Sequence, residues 1–316
     1  MKILLTDVAS VVVNGDLSLA GFEKLGEVKT YNKITREELL KEALDSDAII
    51  VNKTVIDREV IESSNTLKYI GLFATGYNNI DIAAAKEKGI AVCNTVGYST
   101  NAVAQQVIAY ILNHYTKIAE YDRFVKDDGW KNAKVFAPLI FKTEEVWGKT
   151  LGIIGYGSIG KAVEKAAEGL GMKVLVNTRT VPSNDPKFVS LDELLQNSDV
   201  ITIHCPLTDK TANLMDSAAF SKMRDGAYLI NTSRGGVIVE EALLEALKSG
   251  KLSGAAVDVL REEPMADNCI LQDAPNILIT PHTAWGPYET RKRLVDIVVS
   301  TLENFIAGKE VNNLAK

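Results

Sequence analysis

Two spacings of apolar residues alternate along the chain. Short apolar runs rich in β-branched residues occur at Ile3–Leu5, Val28–Tyr31, Ala48–Val51, Tyr69–Phe73 and Ile90–Cys93, and they predict strands. Between them, Arg36–Leu44, Asp57–Ser63 and Asp81–Lys88 predict helices, with Gly89 as the stop of the last. Strands alternating with helices predict a parallel sheet covered on both faces. From Ser99 to Ile118 the pattern is one long helix, capped by Ser99 or Thr100, with Val103, Val107, Tyr110, Ile111 and Ile118 as its apolar stripe. A helix of ~20 residues spans about 30 Å, enough to bridge two domains. Tyr121 to Gly148 carries Trp130, Phe136, Phe141 and Trp147 without periodicity. It reads either as a stretch that wraps onto a partner subunit or as a surface loop anchored by its aromatics.

The alternation resumes at Leu151. Strands are expected at Leu151–Ile154, Lys173–Val176, Val200–His204, Ala227–Asn231, Gly254–Val259 and Asn276–Ile279. Helices are expected at Ile159–Leu170, Leu191–Gln196, Asp216–Lys222 and Glu240–Lys248, and a last one over Pro287–Ala307. The second sheet is complete by Thr280, so that last helix is expected to return to the first domain. The fold class is α/β, with two doubly wound parallel-sheet domains. One combines residues 1–98 with 284–316, and the other runs over 99–283.

Composition narrows the class. At 316 residues the length suits about two domains. Apolar residues are 46% and charged residues 24%, ordinary for a globular protein with a full core. A net charge of −6 argues against a general nucleic-acid or membrane surface. Cys93, Cys205 and Cys269 are far apart and form no C-x-x-C, so neither a disulfide framework nor a metal site is expected, and a reducing compartment fits. The run Ile3–Leu5 is too short for a signal-peptide core, and no run approaches the ~18 residues of a membrane span. The expected location is the cytoplasm.

The chemistry begins at Gly155, Gly157 and Gly160, spaced G-x-G-x-x-G between the strand Leu151–Ile154 and a helix. That context makes the motif a dinucleotide site. Gly155 permits the tight turn, Gly157 lets backbone approach a pyrophosphate, and Gly160 lets helix and sheet pack closely. Ser158 and Ile159 open the helix, whose free N–H groups favour phosphate. The domain over 99–283 is therefore the dinucleotide-binding one. Three further loops follow apolar strands. In Asn231-Thr232-Ser233-Arg234-Gly235-Gly236, Arg234 suits a two-pronged ion pair with a carboxylate, unless it is a surface arginine. Asp258 to Pro264 supplies Asp258, Glu262 and Glu263, which could equally be a solvated acidic cluster. Thr280-Pro281-His282-Thr283-Ala284-Trp285-Gly286 presents His282, able to exchange a proton near neutral pH. Hydride addition to a ketone leaves an oxyanion that must be protonated; arginine, glutamate and histidine together meet those needs. His114, on the long helix, is expected to be structural.

The segments GIIGYGSIG, IHCPLTDKTANLMD, LINTSRGG, AAVDVLREEP and ITPHTAW, in this order, resemble the D-isomer-specific 2-hydroxyacid dehydrogenases over essentially the whole chain. LFATGYNNIDIAAAKEKGIAVCNTVGYST is similar to the glycerate dehydrogenase and hydroxypyruvate or glyoxylate reductase branch. The resemblance implies a Rossmann domain inserted in a flavodoxin-like substrate domain, with the active site in the cleft between them. It implies a catalytic trio of Arg234, Glu263 and His282, with His282 as acid/base. It places Asp258 on the nicotinamide carboxamide, Thr232, Ser233 and Arg234 beside the cofactor, and His204, Cys205 and Pro206 on its adenosine side. Backbone N–H groups of Ala74, Thr75 and Gly76 would hold the substrate carboxylate, and Trp285 would limit pocket size. Lys53 falls near where related enzymes place a basic substrate contact, and it reads either as that contact or, more simply, as a solvent-facing lysine. The substrate is expected to be a small 2-keto acid, hydroxypyruvate or glyoxylate, converted to D-glycerate or glycolate. A D-lactate-type or 3-phosphoglycerate-type dehydrogenase, or an NAD(H)-sensing corepressor, is the alternative. A homodimer is implied.

One departure bears on the coenzyme. NAD-specific sites place Asp or Glu at the end of the second strand, about 20 residues on. Here that place holds Asn177, followed by Thr178, Arg179 and Thr180. Loss of the carboxylate removes repulsion of a 2′-phosphate, and Arg179 adds a matched donor. Of NAD(H) and NADP(H), the sequence favours NADP(H).

Overall fold

In the computed structural model, which describes residues 1–181 and 183–316, the apolar runs condense into two separate parallel sheets. The chain divides into two units, Met1–Ser99 with Gly286–Lys316, and Thr100–Trp285. The crossings fall one residue after the expected 98/99 boundary and two after 283/284.

The first unit begins with β1 (Lys2–Leu5), α1 (Ala20–Glu23), β2 (Glu27–Thr30), α2 (Arg36–Ala43), β3 (Ala48–Val51), α3 (Arg58–Ser63), β4 (Tyr69–Leu72), α4 (Ile82–Glu87) and β5 (Ala91–Cys93). Its strand order is β2-β1-β3-β4-β5. Every residue of β3 and β4 is buried, which explains apolar runs without alternation. The edge strand β2 is mostly exposed. Polar caps start the helices. Thr35 and Glu38 form a capping box on α2, while Asp57 and Asp81 accept from the Val60 and Ala84 amides. The order reverses direction between β1 and β3, the place where ligands of open α/β sheets sit beyond the strand carboxyl ends.

The second unit opens with α5 (Thr100–Thr116) and α6 (Ile118–Lys126). The long helix expected through Ile118 ends early, because Lys117 takes a left-handed φ of 56°. The chain then re-enters a helix, so the start of the stretch expected to be irregular, from Tyr121, is helical. Ile118, Tyr121 and Val125 sit at helical spacing, but α6 buries none of its residues. α5 lies in the second unit, where Val107 and Ile111 share one core with Val163 and Ala167. His114 is stacked on Tyr228 at 3.8 Å and bonds the Ser253 hydroxyl at 3.0 Å. Burial lowers its pKa to about 4, so it is a neutral structural ring.

There follow β6 (Thr150–Ile154), α7 (Ser158–Gly169), β7 (Lys173–Asn177), α8 (Leu191–Asn197), β8 (Val200–Ile203), α9 (Ser217–Lys222), β9 (Ala227–Asn231), α10 (Glu240–Lys248), β10 (Leu252–Val257) and β11 (Ile277–Ile279). The order β11-β10-β9-β8-β6-β7 puts β6, with the glycine turn at its end, between β8 and β7. The last helix, α11 (Tyr288–Ile306), belongs to the first unit. Its buried Arg291 bonds the Val11 carbonyl at 2.8 Å and the Asp16 carboxylate at 2.7 and 3.0 Å. Among the described residues no helix is long and apolar enough to cross a membrane.

The three glycines of the β6–α7 turn are required for different reasons. Gly155 has φ 97°, and a Cβ there would lie 2.5 Å from the Cys205 amide nitrogen. A Cβ on Gly160 would lie 2.4 Å from the Gly155 carbonyl oxygen. A Cβ on Gly157 would meet nothing within 4 Å, and its φ of −80° suits any residue. The space over Gly157 is therefore room for something other than the chain. Gly160→Ala is expected to lower stability by about 1–3 kcal/mol in urea unfolding. Gly157→Ala should unfold at the unchanged midpoint yet weaken dinucleotide binding in a fluorescence titration.

Candidate active site

β10 is buried and apolar to Val257, and its next residue, Asp258, is only 2% exposed. A carboxylate in that place must be hydrogen-bonded. Its Oδ1 accepts from Thr280 Oγ1 at 2.5 Å and from the Thr283 amide at 2.9 Å, and its Oδ2 accepts from the Ala284 amide at 2.9 Å. The His282 amide donates to the Asp258 carbonyl at 2.8 Å. The turn after β11 is thereby folded back over Asp258. His282 takes a φ of 56°, a left-handed conformation that costs a non-glycine residue about 1 kcal/mol or more and persists only when its surroundings over-determine it. Thr280 donates to Asp258, so its hydroxyl accepts from Tyr110, whose Oη lies 2.5 Å away; burial pushes the Tyr110 phenol up and keeps it protonated.

The turn places His282 Nδ1 2.7 Å from Glu263 Oε2, while Glu263 Oε1 accepts from the Leu260 amide at 3.0 Å. One carboxylate oxygen is tied to its own loop and the other holds the ring. Nδ1–H is then the proton given to Glu263, and Nε2 is the nitrogen that can gain or lose one. The His282 side chain remains about one quarter exposed.

Arg234 follows β9 through a loop organised by Asn231, which is fully buried. Asn231 Oδ1 accepts from the Ser233 amide at 2.9 Å and its hydroxyl at 2.8 Å, and Asn231 Nδ2 donates to the Arg234 carbonyl at 3.0 Å. A Cβ on Gly235 would lie 2.0 Å from the Leu260 carbonyl. The arginine turn is therefore pressed directly on the loop that carries Glu263. Arg234 Nη1 donates to the Ser233 carbonyl at 2.7 Å. Glu262, the other carboxylate of that loop, is exposed, and the His282 bond is made by Glu263.

On the coenzyme side, Ser158 and Gly157 are exposed at the start of α7 and Ile159 is partly covered. The 204–205 backbone packs against Gly155. His204 bonds Thr202 Oγ1 at 2.9 Å and is held neutral by burial; burial also pushes the Cys205 thiol up. Pro206 is exposed. Thr232 Oγ1 is buried without a hydrogen-bond partner among the described residues, an orphaned polar atom of the kind a bound ligand satisfies. With the open space over Gly157, it marks a fit for a dinucleotide along this edge. Asn177 Nδ2 donates to the Val189 carbonyl at 3.0 Å, so the amide at this position also ties down the loop that carries Thr178 and the exposed Arg179.

In the first unit, Lys53 is exposed after β3. It borders a cavity of about 560 Å³ lined also by Asp7, Lys33, Arg36 and Thr54. Beyond β4, the carbonyls of Ala74 and Thr75 accept from the Thr95 amide at 2.9 Å and Asn94 Nδ2 at 2.6 Å; Gly76 follows. Trp285, partly buried, is the last residue of the second unit. Tyr110, Thr280, Asn231 and Asp7 organise these loops, and none of them stood out in the sequence as a site residue. One signal was present for Asp7 and Asp258 alike: an acidic residue at or just after the end of a buried strand.

Residues 108–284 match the family described as D-isomer specific 2-hydroxyacid dehydrogenase, NAD binding domain. A hydroxypyruvate reductase of Blautia hydrogenotrophica is 40% identical, with 100% of both chains covered. A glycerate dehydrogenase of Methylorubrum extorquens is 39% identical over 94% of this chain and 95% of the relative. A crystal structure of a Thermus thermophilus protein superposes with a TM-score of 0.89 at 34% identity, covering 99% of each chain. With its two parallel sheets, its glycine turn and these relatives along its whole length, the chain belongs to the D-isomer-specific 2-hydroxyacid dehydrogenases, oxidoreductases that bind NAD(H) and act on small 2-keto and 2-hydroxy acids.

Proposed function

We propose that the chain reversibly reduces hydroxypyruvate or glyoxylate to D-glycerate or glycolate, with His282 as acid/base. The observation that carries the chemistry is the 2.7 Å bond from His282 Nδ1 to Glu263, made by a histidine held in a left-handed turn. The names of the hydroxypyruvate reductase and glycerate dehydrogenase relatives support the choice of substrate. When bound, the nicotinamide supplies the hydride. In reduction, protonated His282 gives its Nε2 proton to the oxyanion that forms at the substrate C2, and Glu263 stabilises the cationic ring before that transfer. In oxidation, neutral Nε2 takes the hydroxyl proton. Arg234 is assigned to the substrate carboxylate, with Lys53 and the N–H groups of Ala74, Thr75 and Gly76. Trp285 is assigned to limiting the size of the C3 substituent. Asp258 would accept from the carboxamide with its remaining lone-pair capacity, so one group would set both the ring and His282.

NADP(H) is assigned as the better coenzyme, with Arg179, Thr178 and the Asn177 edge around the 2′-phosphate. Asn177 offers no negative charge there, and its bond to Val189 steadies the loop that carries Arg179. The second copy needed for a homodimer has suitable material in the 127–149 segment. Phe136 is 92% exposed, Leu139 86% and Trp147 75%, an apolar run that a free surface rarely shows.

A spectrophotometric panel of keto acids with each coenzyme tests the reading, which fails if neither hydroxypyruvate nor glyoxylate is turned over. His282→Ala should reduce kcat by at least ~10², the scale of losing a general acid. Near-normal turnover would overturn its role. Arg179→Ala should raise the KM for NADPH far more than that for NADH; equal losses would remove Arg179 from the 2′ position. Sedimentation should give twice the chain mass, and Phe136→Asp with Leu139→Asp should halve it.

A further inference from the structure

The first unit contains a buried carboxylate whose use the catalytic trio does not explain. Asp7 lies just beyond β1 and is 7% exposed. Its Oδ1 accepts from the Asn52 amide at 2.8 Å and from Thr6 Oγ1 at 3.0 Å. Its Oδ2 accepts from the Lys53 amide at 2.5 Å and the Thr54 amide at 3.0 Å. Three successive backbone N–H groups thus converge on one anion, the concave arrangement that the backbone uses to bind negative charge. Here the anion is supplied by the chain itself. Four donors fill the lone-pair sites of a carboxylate, so Asp7 has no capacity left for a ligand. Whatever it does, it does through the loop.

That loop is clamped from its other side too. Asn79 Nδ2 donates to the Thr54 carbonyl at 2.8 Å and reaches the Asn52 carbonyl at 3.4 Å. Asn52 Nδ2 donates to Ser10 Oγ at 2.9 Å, and Ser10 Oγ donates to the Asp7 carbonyl at 2.6 Å. The three N–H groups of residues 52–54, the carbonyls of Asn52 and Thr54 and the Asn52 side chain are all committed. Lys53, in the middle of this fixed backbone, is an exposed residue. The location is the strand-order reversal between β1 and β3, where an α/β sheet presents ligand-binding loops.

We infer that Asp7 is a positioning residue for substrate. Its buried carboxylate, with Asn79 opposite, fixes the 52–54 loop so that Lys53 meets the substrate carboxylate without first being ordered. The inference rests on the assignment of Lys53 to that carboxylate. The physical basis is preorganisation: a charged side chain on a loose loop loses rotational and backbone freedom on binding, and a misplacement of about 1 Å costs rate or affinity steeply. Asp7→Asn keeps the size of the side chain but turns an amide N–H₂ toward backbone donors, so the loop is released on one side.

The test is a double-mutant cycle read by steady-state kinetics on the full-length protein. Lys53→Met should raise the keto-acid KM ~10-fold or more, with the coenzyme KM unchanged. Asp7→Asn should raise the keto-acid KM in the same direction, again with the coenzyme KM unchanged. The double variant should be no worse than Lys53→Met alone. Asn79→Ala should reproduce the Asp7→Asn pattern, and it decides the matter if Asp7→Asn does not fold. An unchanged keto-acid KM in Lys53→Met would remove Lys53 from the substrate and the inference with it. A raised KM in Lys53→Met, joined to unchanged values in Asp7→Asn and Asn79→Ala or to multiplied losses in the double variant, would overturn the positioning role while leaving Lys53 in place.

Discussion

A buried carboxylate that receives the backbone of the loop beside it is the interaction on which the conformation of the His282 turn depends. Asp258 is the clearest case. Taking an ionised carboxylate out of water costs several kcal/mol unless its oxygens are satisfied. The donors that satisfy it are Thr280 Oγ1 and the Thr283 and Ala284 amides, all within the turn that carries His282. The penalty of burial is offset only when that turn adopts one conformation, so the charge that is costly to bury also selects the geometry. The left-handed backbone of His282 is stable for the same reason. Asp7 repeats the arrangement in the other sheet, with the 52–54 loop in place of the His282 turn.

Around Asp258 the loops of the second unit support one another in series. Tyr110 donates to Thr280, Thr280 to Asp258, and the His282 ring to Glu263. Glu263 is kept in line by the Leu260 amide, and the Leu260 backbone is the surface on which Gly235 packs. Arg234 and Glu263 therefore cannot shift independently, although α10 and β10 lie between them in the sequence. Hydrogen bonds chained in this way polarise each other in a low-dielectric interior, and each is harder to remove than an isolated one. These residues stand on strand ends and turns with committed backbone, which holds their side chains in fixed geometry.

The turn between β6 and α7 holds glycines that packing requires and one that it does not. Gly155 and Gly160 leave no space for a side chain, because backbone already lies 2.5 Å and 2.4 Å from where Cβ would be. Gly157 is surrounded by open space, so packing does not account for it. The unpartnered Thr232 hydroxyl adds an unsatisfied polar atom on the same sheet edge. Asn177 has a double duty: it withholds the negative charge expected of an NAD-type strand end, and it donates to Val189, which an aspartate could not do.

Strands, most helices and the parallel character of the two sheets were legible because each is set by a local pattern: apolar runs for strands buried on both faces, acidic or hydroxyl caps before helices, glycine after them. Arg234, Glu263 and His282 were legible as candidates because each follows a buried strand in an α/β alternation. The break at Lys117 was not, since nothing in its neighbours demands a left-handed residue, and α6 was missed although Ile118, Tyr121 and Val125 sit at helical spacing, because its pattern runs directly on from that of α5. Tyr110 gave no hint of its bond to Thr280, 170 positions away. Sequence spacing determines which side chains a strand end or a turn presents, because those are short-range properties of the backbone. Which carboxylate receives which loop is a long-range matter, settled only when the sheets close and every buried charge has to find its donors.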